Sequence, residues 1–260
     1  MFQSLTRGKP PSRWKAAGIH LLLSALTALG AAILIFGIWF PPPYFKASGG
    51  DRLIALLIGI DLVAGPLLTL VIFKAGKKGL KFDLACIGIV QLAALVYGLS
   101  IITESRPAFI VATVDRFEVV PANAFAAGEL DQAPDPALRR LPWTGPVMIA
   151  ALMPDDVHER SLVLASAMRG KDLDRLPKYY ATLDKGLPLL SRNVRPLDAL
   201  IARDPANNRP VVDAAIARRG LDPANVGWVP ISAPRVDITM LVDRATAKPI
   251  VAIDIAPWDE

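Results

Sequence analysis

The stretch Gly59 to Phe73, GIDLVAGPLLTLVIF, sets an ionisable Asp61 inside an apolar run, and the reading of that run decides the architecture. Extended back to Arg52, it matches the ~20 residues that cross a hydrocarbon core of roughly 30 Å. A carboxylate held at that depth costs about 2.5–3.5 kcal/mol on insertion scales, so Asp61 is expected to have a partner or a task.

Two similar runs flank it, Ala16 to Phe40 and Phe82 to Ile102. Three such runs in succession predict a three-helix transmembrane region over residues 16–102, preceded by a short amino terminus (1–15) and followed by a separate domain (103–260). Arg7, Lys9, Arg13 and Lys15 precede the first run, and Lys74, Lys77, Lys78 and Lys81 crowd the loop between the second and third; only Lys46 and Arg52 lie between the first two. Basic residues stay in the cytoplasm, which predicts a cytoplasmic amino terminus and, in a two-membrane bacterium, a periplasmic carboxyl-terminal domain. The first run is longer than a signal peptide's apolar region and ends in Trp39-Phe40-Pro41-Pro42-Pro43 without a small-x-small cleavage site, so it reads as a retained helix with Trp14 and Trp39-Phe40 as interfacial anchors.

The formal charge of +5 belongs to this membrane part. Up to Ile102 there are 10 Lys and Arg against 3 Asp, leaving 19 basic and 21 acidic residues for the remainder. No basic patch interleaved with aromatics is present, so no nucleic acid partner is expected. A single cysteine, Cys86, excludes an intrachain disulfide and a zinc cluster of the cysteine type; no cofactor or metal is expected.

The carboxyl-terminal domain reads as α+β, with about four strands and helices on one face. Ala108 to Val120 predicts one strand, Gly227 to Ser232 a second, and Val236 to Val242 with Pro249 to Ile255 a hairpin across the polar link Asp243 to Lys248. Asp155 and Asp156 mark a helix start whose apolar face is Val157, Leu164, Ala165 and Met168, ending at Gly170. Val194, Leu197, Leu200 and Ile201 give a shorter helix, and Val211, Val212, Ala215 and Ile216 another, stopped at Arg218-Arg219-Gly220. Gly128 to Pro142 has the least pattern and is expected to be a mobile loop.

The segments RWKAAGIHLLLS (Arg13 to Ser24), WFPPPYF (Trp39 to Phe45), DLVAGPLLTLVIFKAGKKGLKFDLACIGIVQLAALVYGL (Asp61 to Leu99), RPAFIVATVDRFEVV (Arg106 to Val120) and the ending VDITMLVDRATAKPIVAIDIAPW resemble the TfpX/TfpZ type IV pilin accessory proteins, in the same order through nearly the whole chain. The resemblance implies an inner-membrane accessory factor, usually encoded beside a major pilin, that influences how much pilin reaches the fibre. It implies as partners the major type IV pilin, through its transmembrane helix and its head, and the pilus assembly machinery, besides membrane lipid. It brings no catalytic set.

Among the residues themselves, Asp61 lies about 13 Å into its span and Gln91 at a similar depth in the third, so the two are placed to meet. Three readings stand side by side. Asp61 and Gln91 staple the bundle, in a contact of ~0.6 kcal/mol on average. Alternatively, Asp61, Gly65, Pro66 and Gln91 form a docking groove in which small residues admit a second helix and a carboxyl is shared with the glutamate that pilins resemble one another in carrying near the mature amino terminus. Proton or ion coupling through Asp61 is the third. His20, Ser24 and Thr27 share one side of the first helix and are expected to face the bundle, His20 as a hydrogen-bonded interface residue. His158 has Asp155, Asp156 and Ser161 nearby, but on one short helix, whereas catalytic triads assemble from distant segments. The function expected is therefore non-enzymatic: holding or presenting pilin. A membrane-anchored periplasmic sensor or ligand-binding module that affects pili indirectly is the alternative.

Overall fold

The computed structural model describes residues 12–50, 63–74 and 77–258. It divides into two compact units, Met1–Ile35 with Asp51–Ile102, and Phe36–Gly50 with Thr103–Glu260.

In the first unit, α1 (Arg13–Leu34) starts at Ser12, whose hydroxyl accepts from the Lys15 amide. It continues through a π-helical turn, Ile35–Trp39. The helix α3 (Gly65–Ile72) packs along α1, and α4 runs from Leu80 to Ser105. Two helical stretches, Arg13–Trp39 and Leu80–Ser105, are long and apolar enough to cross a bilayer. Their apolar side chains point outward: Leu22, Ile33, Ile89 and Val96 are all exposed. A helix pair of a soluble core buries such residues, so this surface fits lipid and supports association with a membrane. The expected middle span is described only from Val63 onward, and its helix of eight residues is too short by itself to cross; Asp61 lies outside the described residues.

The second unit contains α2 (Tyr44–Ala47) and an eight-stranded mixed sheet. The strands are β1 (Pro107–Ala112), β2 (Phe117–Pro121), β3 (Val147–Ala151), β4 (Tyr180–Thr182), β5 (Arg195–Pro196), β6 (Val226–Ser232), β7 (Ile238–Asp243) and β8 (Pro249–Ile253). Their order is β4-β3-β1-β2-β6-β7-β8, with β5 beside β6. The β1–β3 and β2–β6 pairs are parallel and the others antiparallel.

Helices cover both faces of this curled sheet, not one. On one face Ile110, Phe117, Val229 and Met240 share a core with Tyr44, Ala47 and the Leu187 and Leu190 of α6 (Leu183–Leu190). On the other, Phe109, Val111 and Ile149 meet Val163 of α5 (Val157–Ala167), while Trp228 and Leu241 meet α7 (Leu197–Ile201) and α8 (Pro205–Ala217). Side chains alternate along each strand, so a sheet buried on both faces needs two layers of cover.

Several expectations change at this point. The strand read over Ala108 to Val120 is a hairpin, because Thr113 closes a turn by donating its amide and hydroxyl to the Arg116 carbonyl at 2.9 and 3.1 Å. The apolar face expected on α5 is inverted: Val157 and Met168 are 77% and 90% exposed, and Val163 is the buried residue. Gly128 to Pro142 is packed rather than loose, since Leu130, Ala133 and Leu138 belong to the core. Trp39 and Phe40 are buried within the second unit, Trp39 edge-on to Trp143 and Phe40 against Phe45, rather than displayed as anchors. Helices α7 and α8, the stop at Gly220 and strands β6 to β8 fall where the sequence puts them.

Candidate functional site

The polar centre of the first unit is built on His20. Its Nδ1 lies 2.5 Å from the Thr69 hydroxyl on α3 and its Nε2 2.7 Å from Gln91 Oε1 on α4. A carboxamide oxygen only accepts, so Nε2 carries the proton that Gln91 receives; in the neutral ring Nδ1 then accepts from Thr69. One imidazole therefore ties three helices together, and Thr69 is buried in the contact. Interhelical hydrogen bonds in a membrane average ~0.6 kcal/mol and reach about 1.7, so the pair is worth roughly 1–3 kcal/mol.

Gly65 and Gln91 are brought together within this unit. A Cβ at position 65 would overlap the Gln91 carboxamide, so glycine is what lets Gln91 lie across α3. Pro66, half-buried, is the second residue of α3. The expected Asp61 to Gln91 contact lies outside the described residues. Beside this knot, a cleft of about 220 Å³ opens between α1 and α4, lined by His20, Leu23, Ser24, Thr27, Gln91 and Leu95. Ser24 is buried, and Thr27 returns its hydroxyl to the Leu23 carbonyl at 3.0 Å. The cleft is an apolar slot with a polar floor.

In the second unit, Glu118 of β2 and Asp174 face a cavity of about 290 Å³ together with Thr113, Asp115 and Met153. Burial pushes the Glu118 carboxyl up to about 7, the Asp174 charge adds to this, and Arg116, 3.9 Å away, opposes it. Burial also raises Asp174, against the pull of Arg175 at 3.5 Å. The alternation of β2 gives no sign that the 172–175 turn covers Glu118.

A second feature absent from the sequence reading is a ladder of alternating cations and indoles. Arg203, Trp228, Arg195, Trp258 and Arg116 succeed one another at 5.1, 5.0, 5.7 and 5.2 Å from guanidinium to ring centre. The Trp258 Nε1 donates to Asp237 at 2.6 Å, Trp228 Nε1 to the Pro196 carbonyl at 3.0 Å, and Arg203 to the Pro257 carbonyl. The chain's last described residues are thereby clamped to β2, β5 and β6. These five residues are scattered over more than 140 positions, so only folding aligns them.

The residues around His158 act as helix fittings. Asp156 caps α5 by accepting from the Glu159 amide at 2.8 Å, and Ser161 donates to the His158 backbone carbonyl at 2.7 Å. Glu159 receives Lys178 and the Tyr179 hydroxyl, both at 2.6 Å, while Tyr180 is buried with its hydroxyl on the Asp174 carbonyl.

Apolar helices with a polar centre, joined to a folded α+β domain, define a membrane-associated protein whose distinctive chemistry lies between its helices. The family model for "Fimbrial assembly protein FimB" matches residues 10–49, which include α1 and His20. Two Dichelobacter nodosus proteins, "Fimbrial assembly protein, serogroup E1" and "serogroup I", are each 30% identical over 247 residues, covering 94% of this chain and 96% of the relative. "Fimbrial assembly protein, serogroups C1 and C2" of the same organism is 38% identical over 121 residues, 46% of this chain and 92% of that protein. No solved structure matches. The chain belongs to the FimB family of fimbrial assembly proteins. The expected kinship with pilus accessory proteins holds at that level, under the FimB name rather than TfpX/TfpZ.

Proposed function

We propose that this chain is a non-enzymatic inner-membrane accessory protein of type IV pilus assembly, which receives the apolar helix of the major pilin in the cleft between α1 and α4. The carrying observation is the slot itself: Leu23 and Leu95 offer an apolar wall, and the Ser24 hydroxyl, beside the His20–Gln91 pair, offers hydrogen bonding to a polar group on an incoming helix. The glutamate expected near the amino end of such a helix finds the Ser24 hydroxyl there. The fimbrial assembly names of the relatives support the same setting.

In this reading three spans cross the membrane, the amino terminus is cytoplasmic, and the second unit is periplasmic, where it contacts the pilin head or the assembly machinery. Held pilin is protected until it enters the fibre, so the amount of surface pilus, and twitching motility with it, follows the occupancy of the slot.

Filling the slot tests this. Leu23→Trp adds bulk at its mouth without touching the His20 hydrogen bonds. The variant, inserted at wild-type level, is expected to lower surface pilin in a strain that lacks the native copy. Wild-type piliation by that variant contradicts the proposal.

A further inference from the structure

We infer that the free edge of β8 is a docking site for an extended, acidic segment of a partner protein, which joins the sheet as an added strand. β8 stands at the end of the strand order, and among the described residues no strand pairs with its outer side. A groove of about 720 Å³ runs along it. Val251, Ala252, Ile253 and Asp254 all line that groove. Successive side chains of a strand point to opposite faces, so a groove touching four in a row follows the backbone edge, where N–H and C=O groups point outward.

The walls define the occupant. Pro42 on one side and Val211 with Ala214 of α8 on the other leave a trough with small apolar sides. Such a trough admits a single extended chain, whereas self-pairing about a two-fold axis needs a surface complementary to itself, and two walled troughs are not. The mouth carries the exposed Arg218 and Arg219. Neither has an ion pair among the described residues, while Asp254, the acidic residue in the lining, is neutralised by Lys46 at 2.7 Å. The net field is positive, which selects carboxylates on the incoming strand. Main-chain hydrogen bonds then supply affinity and the arginines supply choice, the usual division in strand addition. The site is separate from the helix cleft, and its failure leaves that proposal standing.

The test uses the full chain in lipid nanodiscs and a fluorescent peptide of alternating valine and threonine ending in two aspartates. Two controls accompany it: the same peptide ending in two lysines, and the aspartate peptide with alternate amides N-methylated. Saturable anisotropy is expected for the aspartate peptide, with slowed amide exchange over residues 250–253. Arg218→Glu with Arg219→Glu is expected to weaken binding roughly fivefold or more, and N-methylation at least about tenfold, since it removes the strand's donors. Absence of binding by the aspartate peptide, equal binding by the lysine peptide, or indifference to N-methylation each overturns the inference.

Discussion

Replacing Glu118 by Gln should stabilise the second unit, and only at neutral to alkaline pH. Burial raises the Glu118 carboxyl from 4.5 to about 7 in the folded state, and each tenfold change in proton affinity corresponds to about 1.36 kcal/mol. The folded carboxyl binds its proton more tightly than the unfolded one. Between pH 4.5 and 7 the folded state therefore holds more protons, and stability falls as pH rises through that window, by about 2–3 kcal/mol once the remaining solvent access is allowed for. Below it the group is neutral in both states and contributes no penalty; above it the penalty is complete. Gln keeps the shape and the capacity to bond with Ser232 but cannot ionise. The loss of the Arg116 contact, 3.9 Å and partly exposed, costs under about 1 kcal/mol. Urea unfolding of the detergent-solubilised protein, followed by tryptophan emission at pH 4 and pH 8, gives both numbers. A gain of about 2 kcal/mol at pH 8 with little change at pH 4 is expected. No gain at pH 8, or the same gain at both, refutes the assignment of a desolvated carboxyl to this position.

The ladder makes a second prediction. Trp258→Ala removes two cation–π contacts and the bond to Asp237, so it should cost about 2–4 kcal/mol and expose the tail to carboxypeptidase; a loss below about 0.5 kcal/mol in the same urea assay means the tail is held by other contacts. In the first unit, His20→Leu removes both interhelical hydrogen bonds, and steric trapping in bicelles should read a loss of roughly 1–3 kcal/mol. Gln91→Leu should give about half that loss, and the double variant no more than His20→Leu alone; additive losses contradict a shared bond.

What the sequence showed and what it hid divide along physical lines. Strands β6 to β8 were legible because each is a run of β-branched residues between turn formers, and α8 because Val211, Val212, Ala215 and Ile216 recur at helical spacing before Gly220. The β1–β2 hairpin was hidden because its turn, Thr113 to Arg116, contains neither glycine nor proline. Helix α6 was hidden for the opposite reason: Gly186 and Pro188 read as breakers. In the structure Gly186 is the point where α6 lies on the sheet, with Ala150 where a Cβ would go, and Pro188 costs an eight-residue helix a single bond. Of the membrane unit, two long apolar helices and an inward-facing His20 fall where the sequence puts them. Helix depth gave no sign that His20 of α1 reaches Gln91, and the expected Asp61 contact lies outside the described residues. The close approach of Gln91 to Gly65 was not legible either, since it depends on how α3 and α4 pack.

The central claim is that the slot beside His20 receives the pilin helix. A photo-crosslinking amino acid in place of Leu95, on the wall of the slot, tests it in living cells with the native pilin present. Irradiation should yield one main adduct, and mass spectrometry should place the link in the apolar amino-terminal helix of the pilin; crosslinks to lipid or to this chain alone would contradict the account.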